Sequence, residues 1–161
     1  MEIEKHYEWV CRRLAFHEGC ELKPYRCPSG KLTIGVGRNI EDNPFTNDEL
    51  KAVGDWRNGI TKNAAYMLLR NDVKRCNEEL IKNIPIYPKL DLERQYALLD
   101  MCFQLGIKGL LGFKKMIKFL SMRLYKQAAE ECLDSRYAIQ TPQRAKRIAR
   151  EIREGYWSRE L

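Results

Sequence analysis

The chain has 161 residues, 44% of them hydrophobic, enough for one good core or two small ones joined by a shared element, and too few for several large domains. A formal charge of +7 and a pI near 9.1 favour polyanionic surroundings, whether nucleic acid, anionic lipid or a bacterial envelope. No apolar run approaches the ~18 residues of a membrane span, and Met1-Glu2-Ile3-Glu4-Lys5-His6 lacks a signal-peptide pattern, so a soluble species made in the cytoplasm is expected.

From Glu2 to His17, Ile3, Tyr7, Val10 and Leu14 recur at helical spacing, which predicts an amphipathic helix closing on Glu18, with Gly19 as its C-cap signal. Pro28-Ser29-Gly30 is turn chemistry: proline presets one dihedral and glycine accepts φ > 0, so the flanks should pair as an antiparallel hairpin. In its second arm Leu32, Ile34 and Val36 alternate with Thr33, Gly35 and Gly37. One face is then apolar and the other nearly bare, a surface that a bulky ligand can approach, with Thr33 pointing at it. Arg38 to Pro44 reads as polar loop. Thr46 and Glu49 are spaced as a capping box, with Phe45 and Leu50 placed as a hydrophobic staple.

Asn58-Gly59 is a turn, and Thr61 is placed as N-cap of a long helix to about Lys82, on which Ala65, Leu69, Val73, Cys76 and Leu80 share a stripe. Roughly 20 residues of helix span about 30 Å, enough to connect two lobes. Ile84-Pro85-Ile86-Tyr87-Pro88 ends it. Asp91 caps the next segment, with Leu92, Tyr96, Leu99 and Phe103 on one stripe and Gly106 at its end. Met116, Ile117, Phe119 and Leu120 suggest a short helix, and Tyr125, Ala128, Ala129 and Cys132 another. Thr141-Pro142 opens a final helix that turns Ala145, Ile148, Ala149 and Ile152 inward and stops near Gly155. The six cysteines (Cys11, Cys20, Cys27, Cys76, Cys102, Cys132) show no CxxC spacing and only two histidines accompany them, so free thiols are expected rather than disulfides or a metal site.

The order Glu18, eight residues, Cys27, five residues, Thr33, followed by Ile34-Gly35-Val36-Gly37, resembles the bacteriophage lysozyme (endolysin) family of the T-even type. A second block, Cys102-Phe103-Gln104-Leu105-Gly106 through Gly112-Phe113 and on to Ser135–Arg147, is similar to that family's distal lobe. The resemblance implies a mostly helical α+β fold in a single lysozyme-like domain. Its N-terminal lobe would be a small antiparallel β-hairpin lobe over about 18–60, followed by a connecting helix over about 61–82. The C-terminal helical lobe would run over about 83–161 and take in the first helix, 2–17, with polysaccharide bound in the cleft. It also implies an N-acetylmuramidase that hydrolyses the β-1,4 bond between N-acetylmuramic acid and N-acetylglucosamine of bacterial peptidoglycan and causes host lysis. Neither cofactor nor metal is implied, and the route is inverting. A monomer that binds no nucleic acid is expected, waiting in the host cytoplasm for a holin or other membrane lesion to open the way to the wall.

Residue by residue, the family's general acid falls on Glu18 and its water-holding threonine on Thr33. A lone glutamate is most often a solvated charge, but the Gly-flanked hairpin and the spacing favour a proton donor for the leaving oxygen. The second catalytic position, usually Asp, is Cys27. It can act as base or water-positioner through a thiolate, or as nucleophile, provided that a neighbour such as Arg26 lowers its pKa. Phe103 and Gln104 match sugar-contacting positions, although an aromatic at helical spacing equally suits a core. Arg144 matches an arginine that pairs with the catalytic acid, against a plain solvated basic face. His17 and Asp100 stand where the family commonly places Asp and an amide, and a hydrogen bond between them is expected. Met116 and Glu131 replace the family's serine and asparagine. A basic helical nucleic-acid binder, and a membrane-active helix over 142–154, are the alternatives from other classes.

Overall fold

The computed structural model describes residues 3–155 as an α+β fold, mostly helical with one small antiparallel sheet. A 3-10 turn over Ile3–His6 leads into helix α1 (Tyr7–Glu18), so the expected first helix opens one turn late, with Ile3, Val10 and Leu14 buried as its stripe requires. Strands β1 (Glu21–Arg26) and β2 (Leu32–Gly35) form the hairpin, and β3 (Arg38–Asn39) adds a third strand in the order β1-β2-β3. That third strand corrects the reading of Arg38 to Pro44 as loop. It pairs Thr33 with Asn39 and Ile34 with Arg38, through backbone groups that a polar sequence does not advertise.

The capping box forms as expected: Thr46 Oγ1 accepts from Glu49 N at 3.2 Å, and Glu49 Oε1 accepts from Thr46 N at 3.0 Å, opening α2 (Asn47–Val53). Phe45 packs edge-on to Trp56 at 5.6 Å, while Leu50, its expected staple partner, is exposed. Thr61 caps α3 (Lys62–Asn83), its hydroxyl accepting from Ala64 N at 3.1 Å, and all five residues of the expected α3 stripe are buried.

After a turn at Tyr87–Lys89 come α4 (Leu92–Leu111), α5 (Lys114–Ser121), α6 (Tyr125–Leu133), α7 (Arg136–Gln140) and α8 (Pro142–Glu154). Gly106, the expected end of α4, breaks it with φ 74° and ψ 164° before helix resumes for one more turn. Asp91 and Thr141 occupy their N-cap positions without capping by side chain. Asp91 instead accepts from Arg94 at 2.8 Å, and Thr141 donates back to Tyr137 O at 3.0 Å.

The described residues divide into two compact units, one over 6–75 and the other over 3–5 and 76–155. This division groups α1 with the sheet, where the sequence reading groups it with the C-terminal lobe. Cys11 of α1 lies within electrostatic reach of Arg70 and Asp72 on α3. The first unit buries Ile34, Val53, Ile60, Ala64, Ala65 and Leu68, with Phe45 and Trp56 packed against them. In the second, α8 packs on α6 and α4, and Ala145, Ile148, Ala149 and Ile152 are buried as expected.

Candidate active site

Glu18 is the last residue of α1 and is half-buried; the helix ends there because Gly19 N turns back to Ala15 O at 2.9 Å. The hairpin starts two residues later. Cys27 closes its first arm, giving its N–H to Lys31 O at 3.0 Å while its carbonyl accepts from Gly30 N at 2.8 Å, so Pro28 and Ser29 form the turn. The Cys27 sulfur sits 3.0 Å from Ser29 Oγ. That hydroxyl above all, helped by the backbone of Lys31 and Ser29 and by the Thr33 hydroxyl, outweighs partial desolvation and brings the thiol down to about 7. All six cysteines are free, as expected.

Arg26 has no part in this. Its guanidinium is 3.2 Å from Glu41 Oε2 and donates to Gly30 O at 3.0 Å, so the expectation that it lowers the Cys27 pKa is corrected: hydroxyl and backbone dipoles do so. Thr33 is 3% exposed and donates to Lys31 O at 2.9 Å, while its hydroxyl also lies within bonding reach of the sulfur. A hydroxyl has one proton, so the carbonyl and a Cys27 thiolate compete for it. Tyr25 pairs with Thr33 across the sheet, and its phenol pKa is raised by burial and by the charges of Glu18 and Cys27. Glu18, Cys27 and Thr33 therefore fall in one unit, with Tyr25 in reach of the first two.

The bare glycine face is a different matter. Gly35 has φ 66°, and a Cβ there would meet Ala65 Cβ of α3 at 3.5 Å. Its open side is thus filled by a helix, which corrects the expectation that a ligand approaches the backbone at that point. Thr33, Ile34, Gly35 and Val36 are all buried, so neither face of this stretch is left open.

In the second unit Asp100 of α4 is fully buried and takes Arg144 Nη2 on one oxygen at 2.5 Å and Arg147 Nη2 on the other at 2.9 Å. Two guanidiniums on one carboxylate satisfy a group whose burial alone would be costly. Gln104 accepts from Tyr137 OH at 2.9 Å, which fixes its carbonyl oxygen. Phe103 is half-buried. Met116 and Glu131, the positions that depart from the family, line one pocket of about 450 Å³ with Gly109, Phe113, Asp134 and Ser135. Three contributors escaped the sequence reading. Ser29 stands two residues after Cys27 in a turn, Arg147 one helical turn after Arg144 on the same face, and Tyr137 gives no local signal. His17 sits edge-on to Phe16 at 5.2 Å in the first unit, and Asp100 lies in the second. No three His, Cys, Asp or Glu side chains gather as a metal site among the described residues.

A half-buried carboxyl at a helix end and a thiol lowered to about 7 on the following hairpin are groups of the kinds that acid–base hydrolysis uses. Comparison with known proteins gives that chemistry a setting. The phage lysozyme family model matches residues 15–150. Probable T4-type lysozyme 1 of Dictyostelium discoideum is 30% identical over 156 residues, covering 88% of this chain and 92% of that protein. Probable T4-type lysozyme 2 of the same organism is 30% identical over 150 residues, covering 84% and 88%. The pre-baseplate central spike protein Gp5 of Enterobacteria phage T4 is also 30% identical over 151 residues, covering 86% of this chain and 26% of its own length. With Glu18, Cys27, Thr33 and the Asp100–Arg144 pair all inside the matched segment, the chain belongs to the phage lysozyme family and is a glycosidase of the lysozyme type.

Proposed function

We propose that the chain hydrolyses the β-1,4 bond between N-acetylmuramic acid and N-acetylglucosamine of bacterial peptidoglycan, and that it lyses a bacterial host. The observation that carries this reading is the Cys27 thiol, held near neutrality by Ser29 and Thr33 on the hairpin that follows the Glu18 helix end. Glu18 gives its proton to the leaving glycosidic oxygen as the C–O bond breaks. The Cys27 thiolate takes a proton from a water, whose oxygen bonds the anomeric carbon from the opposite face, so the product is inverted. Thr33 serves the water through the sulfur it bonds, because it has almost no surface of its own. Afterwards Cys27 passes its proton to solvent and Glu18 regains one. Phe103 and Gln104 contact the sugar chain, and Arg144 is an orienting residue. The protein acts as a monomer, on peptidoglycan and not nucleic acid, without a cofactor, and reaches the wall from the host cytoplasm once a holin or other lesion opens the membrane.

The test is the anomer released from purified peptidoglycan, read by NMR before mutarotation, together with two variants. Activity of the parent should rise with pH through about 7 as the thiolate forms, Cys27→Asp should stay active, and Cys27→Ala should lose roughly 10²-fold or more. A retained anomer with an adduct at Cys27 would make it a nucleophile instead, and an alanine variant as fast as the parent would remove it from the reaction.

A further inference from the structure

In the family pattern the second catalytic position is a carboxylate, ionised at neutral pH without help. A thiol is not: at its ordinary value of ~8.5 only about 3% is ionised at pH 7. A cysteine at this position therefore needs a device that an aspartate does not need. We propose that Ser29 is that device, a positioning residue whose hydroxyl, 3.0 Å from the Cys27 sulfur, holds the sulfur as an anion and fixes where it presents a lone pair to the attacking water. The inference rests on the reading of Cys27 given above.

The geometry of the turn supports it. Cys27 and Ser29 are the first and third residues of one tight turn, whose backbone is closed on both sides by the Cys27–Lys31 and Gly30–Cys27 hydrogen bonds. The Ser29 side chain is consequently held over the sulfur by a short, pinned loop rather than by a flexible one, and Pro28 stiffens it further. Other hydroxyls and dipoles contribute, but Ser29 outranks the backbone of Lys31 and Ser29 and the Thr33 hydroxyl as the cause of the lowered thiol. The charges around the hairpin do not substitute for it. Arg26 is committed to Glu41, and Lys31 to Asp42 at 3.4 Å, so the two cations that flank the turn are each matched by an anion of the loop after β3. Tyr25 lies within electrostatic reach of Glu18, Cys27 and Glu21. An exposed serine in a turn has no packing duty, so its removal leaves the fold in place.

The experiment measures two things on the full chain. One is the pH midpoint of iodoacetamide alkylation at Cys27, followed by mass spectrometry of the peptide so that exposed Cys20 does not contribute. The other is the pH profile of peptidoglycan clearing. Ser29→Ala should move the alkylation midpoint up by one unit or more and cut clearing at pH 7 on the order of tenfold. Ser29→Thr should restore both, and in a Cys27→Asp background Ser29→Ala should leave the profile nearly unmoved. An alkylation midpoint equal to the parent's overturns the proposal, and so does a loss of clearing that is the same at every pH. Failure of the underlying reading looks different: Cys27→Ala would clear the wall as fast as the parent while the alkylation midpoint still shifts with Ser29.

Discussion

Arg38 shows what a single residue can carry. It is 4% exposed and donates to Glu49 at 2.7 and 3.0 Å, lies 3.2 Å from Asp72, and gives two more bonds to the carbonyls of Asn43 and Pro44. Burial by itself would raise the Glu49 pKa, but the bonds from Arg38, Asn71 and Thr46 N outweigh it and bring the carboxyl to about 2. Asp72, more fully desolvated, ends above its ordinary value although Arg38 and Arg75 pull it down. The two work in opposite senses with pH. Stability contributed by Glu49 is complete above its unfolded pKa of ~4.3 and is lost as pH falls toward its folded value. Asp72 takes up a proton more readily folded than unfolded, so acid relieves it. Arg38→Met removes the guanidinium from Glu49 and leaves Asp72 to Arg75, and should cost about 3–5 kcal/mol at pH 7 in urea unfolding. That loss should shrink as pH is lowered toward 4. A cost below ~1 kcal/mol at neutral pH would mean that the cluster is not holding α2 and α3 to the sheet.

Among the elements, α4 is divided by its own glycine. Gly106 has φ 74° and ψ 164°, a region that a side chain tolerates badly, yet nothing lies within 4 Å of where its Cβ would be. Gly106→Ala should therefore lower stability by ~1–3 kcal/mol through backbone strain alone, with no clash to relieve, and an unchanged melting temperature would show that the break can close into continuous helix. This break, the caps at Thr46 and Thr61 and the inward stripe of α8 were all readable because each depends on residues within one or two turns of sequence. Elements that depend on distant partners were not. Strand β3 is two polar residues held by backbone pairing, and Arg38 becomes a core residue only because Glu49 and Asp72 meet it there. Helix α7 spans five residues, too short for periodicity to show. The site divides the same way. Glu18, Cys27 and Thr33 stand out by spacing, whereas the helix that fills the side of Gly35 is set by Ala65, thirty positions on. Cys27's ionisation was attributed to its charged neighbour Arg26, and it is a neutral hydroxyl that matters, since Arg26 is spent on Glu41.

At the scale of the whole molecule, a formal charge of +7 suits an enzyme that works against a polyanionic envelope. Part of that charge gathers on α8, where Lys146, Arg147, Arg150 and Arg153 line an open pocket. The apolar residues of the same helix are buried inside its own unit, so α8 has no free apolar face to lay into a bilayer. The central claim is that a proton held by Glu18 drives wall cleavage. The direct test is digestion of purified peptidoglycan by parent and Glu18→Gln side by side, with soluble products identified by mass spectrometry. Glu18→Gln keeps the shape and removes the proton. The account predicts muropeptides ending in reducing N-acetylmuramic acid from the parent, a fall of at least roughly 10²–10⁴-fold in the variant, and a melting temperature nearly unchanged. Half the parent rate from Glu18→Gln, or products cut in the peptide instead of the glycan, would contradict it.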